Sequence, residues 1–150
     1  MAHPLRDKAA VSGIGETAYT RGTPKSGLAL QLEASLAAIA DAGLSPRDID
    51  GVVPYFPGGG IAEDFVANLG LPDLTLSVFV PMGGATCVAA IQTAAMAVAT
   101  GVCKHVVPTS IIGQAQNALD QRLPRRRPAP GPHLGCRVSF WTRQFSSSAV

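Results

Sequence analysis

The residues best suited to chemistry in this sequence stand at the head of one segment, PMGGATCVAAIQTAAMAVATG at 81–101. A glycine pair, Gly83 and Gly84, leads with Ala85 into a long helical run, and Cys87 lies just inside it. A helix start offers unpaired backbone N–H groups and the positive end of the helix dipole. Such an end lowers a thiol pKa and can hold an acyl oxyanion. Gly83, Gly84 and Ala85 are therefore the candidate substrate-binding backbone and Cys87 the candidate nucleophile. The competing reading of Cys87 is a small residue packed inside, because free cysteine is among the most buried residue types.

Other chemical groups give weaker signals. Cys87, Cys103 and Cys136 make an odd count without paired spacing, so neither a disulfide framework nor a zinc motif is visible. His3, His105 and His133 stand alone in the sequence, where histidine is usually structural or solvated. Pro57 to Gly60 is glycine-rich but lacks the Gly-Lys-Ser/Thr ending of a phosphate loop, and so reads as a plain loop. Arg125, Arg126 and Arg127 form a basic cluster with no aromatic platform beside it, which argues for a solvated tail over a nucleic-acid site. Gly13 and Gly15 do not open a helix in the register of a dinucleotide fingerprint. No metal site is expected.

The elements that must position these groups follow from hydrophobic pattern. KAAVSGI at 8–14 reads as a strand closed by Gly13 and Gly15. A helix over 27–42 carries Leu28, Leu32, Leu36 and Ile39 on one stripe, with Ser26 as N-cap and Gly43 after its end. Ser45-Pro46-Arg47-Asp48 is a capping arrangement for one short turn. GVVPY at 51–55 is a second strand, 61–69 a second helix ended by Gly70, and LTLSVFV at 74–80 a third strand. The alanine-rich helix spans 84–100 and stops at Gly101, and a fourth strand begins at Lys104. Its alanines suit a crowded interior where backbones approach closely. Gln92 and several threonines dilute it, so no membrane span is expected. The order β-α-β-α-β-α-β predicts an α/β layered sandwich with a mainly parallel sheet around that helix.

Composition divides the chain. It has 150 residues, 47% of them apolar, which suits a folded core. The net charge of +2 hides −3 over residues 1–107 and +5 over 108–150. Beyond Val107 come five prolines, at 108, 124, 128, 130 and 132, and little periodicity. Two parts are expected: 1–107 as a half-domain and 108–150 as an irregular Arg/Pro-rich tail. So abrupt a switch is what a reading-frame change in a GC-rich gene, or a truncation, would produce. The N-terminus, MAHPLRDKAA, lacks the apolar core of a signal peptide, and the cysteine usage suits a reducing cytoplasm.

Four stretches of the first 107 residues resemble the N-terminal half of the thiolase superfamily: VSGIGETAYTRG at 11–22, LEASLAAIADAGLSPRDIDGVV at 32–53, VANLGLPDL at 66–74 and GGATCVAAIQTAAMAVATG at 83–101. The branch they resemble is that of acetyl-CoA acetyltransferases, lipid-transfer proteins and sterol-carrier-type thiolases. The resemblance implies an acyl-CoA acyltransferase, or a retro-aldol lyase, acting on a coenzyme A thioester without a permanently bound cofactor. It implies an acyl-CoA or sterol-CoA ligand, and a homodimer or partner subunit joined through strand 74–80. It also places the family's nucleophilic cysteine at Gly84, which has no side chain; Cys87 lies three residues later, about 4.5 Å along the helix axis. The family's acid–base histidine motif has no counterpart here, so the resemblance implies a chain inactive by itself. The alternative is a non-catalytic binding module, or a structural subunit of a thiolase-like aldolase complex.

Overall fold

The computed structural model describes residues 6–19, 23–54, 59–112 and 135–142. Five strands and three main helices follow in the order β1 (Ala10–Glu16), α1 (Gly27–Asp41), β2 (Gly51–Val53), α2 (Ala62–Leu69), β3 (Leu76–Ser77), α3 (Thr86–Thr100), β4 (His105–Ile112) and β5 (Gly135–Thr142). The strands form one sheet in the order β1-β5-β4-β2-β3. β2 is parallel to β3 and to β4, whereas β5 is antiparallel to both β1 and β4. Four strands therefore share one direction and β5 alone opposes them. The layered α/β architecture agrees with the sequence expectation.

Four local expectations need correction. First, the tail is not irregular throughout: β4 continues through Pro108 to Ile112, and β5 fills the gap between β4 and β1. Val138, Phe140, Trp141 and Thr142 are strand-favouring residue types, a signal masked by the prolines before them. Pro108 pairs with Val53 on the parallel side and falls where the antiparallel β4–β5 register skips residues 107 and 108, an irregularity at which a missing N–H is tolerated. Second, Gly13 and Gly15 lie within β1, not at its end. An added Cβ at either would overlap the carbonyl oxygen of Ala38 or Ala34, so glycine lets α1 lie directly on the strand.

Third, the buried face of α1 is wider than the expected stripe and leaves one member of it out. Ile39 is buried and Leu28 and Leu32 pack against the core, while Leu36 is exposed. Leu30, Gln31, Ala34, Ser35 and Ala38 are buried beside them, the small residues where α1 approaches β1 closely. Fourth, strand 74–80 contracts to the ladder at Leu76–Ser77, flanked by bonds from the Thr75 and Leu76 N–H groups to the Asp50 carbonyl and from the Val78 N–H to the Val52 carbonyl.

Capping fixes the helix ends. The Ser26 hydroxyl accepts the Ala29 N–H at 3.1 Å, as expected. Gly70 and Gly101 end α2 and α3 in the left-handed conformation. Asp48 accepts from the Ser45 N–H and hydroxyl, each at 2.8 Å, and these bonds hold its carboxyl below the usual range. At the amino ends of the parallel strands, Asp50 ties three of them together. Its carboxylate accepts the Lys104 and His105 N–H groups at 2.8 Å, and its carbonyl accepts the Thr75 N–H at 2.8 Å.

Alternate side chains of β2 and β4 feed two cores. Val52 and Val107 face α1 and α2, together with Ile39, Ile49 and Phe65. Val53 and Val106 face α3, together with Ala90, Ala94, Ala97 and Val98.

Candidate functional site

The approach to α3 is set by local backbone chemistry. Gly83 has φ +55°, a conformation most side chains resist. It opens a 3-10 turn over Gly83–Ala85 in which the Ala85 N–H bonds the Met82 carbonyl at 3.1 Å. Thr86, buried, turns its hydroxyl back to accept the Met82 N–H at 3.0 Å. Gly83, Gly84 and Ala85 are therefore brought together at the head of α3, and all three are exposed. A Cβ built on Gly84 meets nothing within 4 Å, so the space before the helix is open.

Cys87 is the second residue of α3 and is half-buried. Its Sγ lies 2.7 Å from the Ser110 Oγ on β4. No histidine stands near this pair among the described residues. His105 is five residues back along β4, about 16 Å at the usual rise of a strand. His3 and His133 lie outside the described residues, as do Pro57, Gly58 and Arg125 to Arg127. Cys103 is 1% exposed, and burial pushes its thiol pKa up although the Thr75 hydroxyl lies 3.3 Å away. It is a packing residue of the α3 core. Among the described residues no group of three His, Cys, Asp or Glu side chains could hold a metal ion.

Among the described residues α3 is not enclosed. Thr86, Ala90, Ala94, Ala97 and Val98 are buried, but Val88 is 69% exposed and Met96 41%. The expected interior rod is thus covered along one side only. With the preceding turn it is long and apolar enough, by length and composition, to cross a membrane, yet its buried side packs on the sheet.

No protein-family model matches the chain. Over 103 residues, 69% of its length, it is 42% identical to a steroid side-chain-cleaving aldolase of Thermomonospora curvata. Over the same length it is 41% identical to a 17-hydroxy-3-oxo-4-pregnene-20-carboxyl-CoA lyase of Mycobacterium tuberculosis. The chain spans about a quarter of each of these curated relatives, 26% and 27%. In structure it superposes on an Ltp2-ChsH2(DUF35) aldolase with a TM-score of 0.72 at 22% identity, covering 93% of this chain and 56% of that one. Cerulenin-bound OleA of Xanthomonas campestris, a thiolase-superfamily protein, gives 0.70 at 10% identity, with 95% and 60% covered. The fold is thiolase-like.

In this thiolase-like chain, the position that the resemblance gives to the nucleophile is Gly84, at the open head of α3. Two features of the surroundings were not legible beforehand. The Cys87–Ser110 contact joins residues 23 apart, and no sequence spacing announces it. Gln31, fully buried, donates from Nε2 to the Thr109 hydroxyl at 3.0 Å and accepts the Gly60 N–H on Oε1 at 2.7 Å. A glutamine among the apolar residues of a helix was the available signal. The bond occupies the Gly60 N–H, which removes that donor from any phosphate cradle in the glycine-rich loop.

Proposed function

We propose that this chain supplies a thiolase-like half that binds a coenzyme A thioester within an aldolase- or lyase-type assembly. The competing reading is an acyltransferase that loads an acyl group onto its own cysteine. The observation that carries the proposal is Gly84: the open head of α3 presents backbone and no side-chain nucleophile. The names of the two sequence relatives, an aldolase and a carboxyl-CoA lyase, support the same reading.

The chemistry is consistent with that arrangement. Retro-aldol cleavage of a β-hydroxyacyl thioester breaks the Cα–Cβ bond and moves its electrons into the thioester carbonyl as an enolate. Donors aimed at that oxygen stabilise the charge, and no acyl-enzyme is required. A base must take the hydroxyl proton, and the described residues near α3 offer none, so the proposal assigns it to another part of the assembly.

Calorimetric titration with an acyl-CoA, paired with an assay on acetoacetyl-CoA and free coenzyme A, tests this. Binding without thiolytic turnover is expected. Robust turnover abolished by Cys87→Ser would overturn the proposal and restore the displaced nucleophile.

A partner subunit or a second copy belongs to the same proposal. β3 is the outer strand of the sheet, and Thr75, Ser77 and Phe79 are exposed along the 74–80 segment. Among the described residues no strand pairs with the outer side of β3, and such an edge is a template for another strand. Phe79→Lys should lower the mass of the protein in solution, measured by light scattering; an unchanged mass discards this edge as an interface.

A further inference from the structure

The two ends of the sheet differ. β3, at one end, pairs over Leu76–Ser77 alone. β1, at the other, runs for seven residues and pairs only with β5 among the described residues. The outer side of β1 is thus the longer template for an added strand. Its Val11 and Ile14 are 44% and 46% exposed, so an added strand would also cover apolar surface.

That side is not left open. The Ile14 N–H donates to the Asp41 carboxylate at 2.8 Å. In an antiparallel ladder a residue either exchanges both backbone bonds with the residue opposite or turns both groups away from it. Ile14 lies opposite Ser139 on β5, yet its N–H goes to a side chain, so that N–H belongs to the outer edge. A strand added there would bring a carbonyl oxygen to about 2.9 Å from the same nitrogen. The Asp41 carboxylate already fills that place, and its charge repels the carbonyls of an incoming strand.

The fold is arranged to put it there. A Cβ on Gly13 would lie 2.7 Å from the Ala42 nitrogen, so glycine lets the end of α1 rest on β1 and carries Asp41 to the edge. Asp41 is the last residue of α1, where the helix dipole disfavours a negative charge. The helix itself therefore gains nothing from an acid at this position. The β1–β5 register also slips between Val11 and Gly13, which leaves Ser12 as an extra residue. Such a bulge bends an edge away from a new partner.

We propose that Asp41 is a guard: its carboxylate holds the β1 edge against strand addition by a second copy of this chain. Without it, two β1 strands pair antiparallel across a two-fold axis. The proposal rests neither on the thioester reading nor on pairing through β3.

Light scattering over a range of protein concentrations tests it, with Phe79→Lys present in every chain so that β3 does not contribute. Asp41→Ala should raise the average mass toward about twice that of the Phe79→Lys parent as concentration increases. In the same variant the Ile14 amide should exchange faster than in the parent when dilute, and slow as the mass rises. Adding Ile14→Lys, at an exposed position of the edge strand, should return the mass to the parent value. Three outcomes overturn the proposal. One is an unchanged mass. The second is a rise in mass that Ile14→Lys leaves in place, which would put the association elsewhere. The third is a loss of folded structure by circular dichroism without association, which would make the Asp41–Ile14 bond only a tie between α1 and β1.

Discussion

The two faces of the sheet are packed by different means. Toward α1 and α2 the core adds large side chains and buried hydrogen bonds to the small residues Ala34 and Ala38, with Ile39, Phe65 and Gln31 all at 1% exposure or less. Toward α3 it uses alanine: Ala90, Ala94 and Ala97 bring the helix close to Val53 and Val106. Both helices have 15 residues, yet α1 buries seven and α3 five. The outer side of α3 still carries Val88 and Met96 in exposed positions. Apolar content thus measures how much surface a helix must hide, and leaves open what hides it. Among the described residues α1 is covered but for residues such as Leu36, and α3 is covered along one side.

The largest test of that difference is a pair of deletions. Phe65→Ala empties a site that is 0% exposed in the α1–α2 core and should cost about 4 kcal/mol. Val98→Ala, equally buried on the α3 side, removes fewer carbons and should cost about 2 kcal/mol. Urea midpoints at unchanged slope measure both. Equal costs would erase the asymmetry between the faces.

A smaller effect is expected at the polar link. Gln31→Met keeps the volume but removes the acceptor of the buried Gly60 N–H, at a cost of about 1–3 kcal/mol. Hydrogen exchange at Gly60 should accelerate well beyond that of the β2 amides. Exchange that rises uniformly would mean that Gln31 supports the core at large and does not specifically hold the start of α2.

The same contrast explains how much could be read in advance. The order of elements, the Ser26 cap and the terminators Gly70 and Gly101 were legible because each depends on a few adjacent residues. The inward face of α1 was legible in part: Leu28, Leu32 and Ile39 pack on the core, but two glycines on β1 admit the small residues Ala34 and Ala38 and leave Leu36 outside. β5 was hidden because its partners β1 and β4 are distant in sequence, and the neighbouring prolines and arginines suggested a tail. At the site, the turn Gly83–Ala85 could be located from its glycines and the resemblance. The Cys87–Ser110 contact and the Gln31 bridge could not, because each joins separate elements through a single hydrogen bond.

The smallest expected effect is the most discriminating for α3. Val88 is 69% exposed, so Val88→Lys in a chain whose α3 stays bare should change stability by no more than about 0.5 kcal/mol. Lysine has the better helix propensity of the two, which further limits any loss. Ala94→Lys, at a site that is 0% exposed six residues further on, should prevent folding and so calibrates what a covered position costs. A loss of 2 kcal/mol or more at Val88, or a fall in molecular mass on its replacement, would show that the outer side of α3 is covered in solution. The asymmetry between the faces would then belong to the single chain and not to the assembled protein.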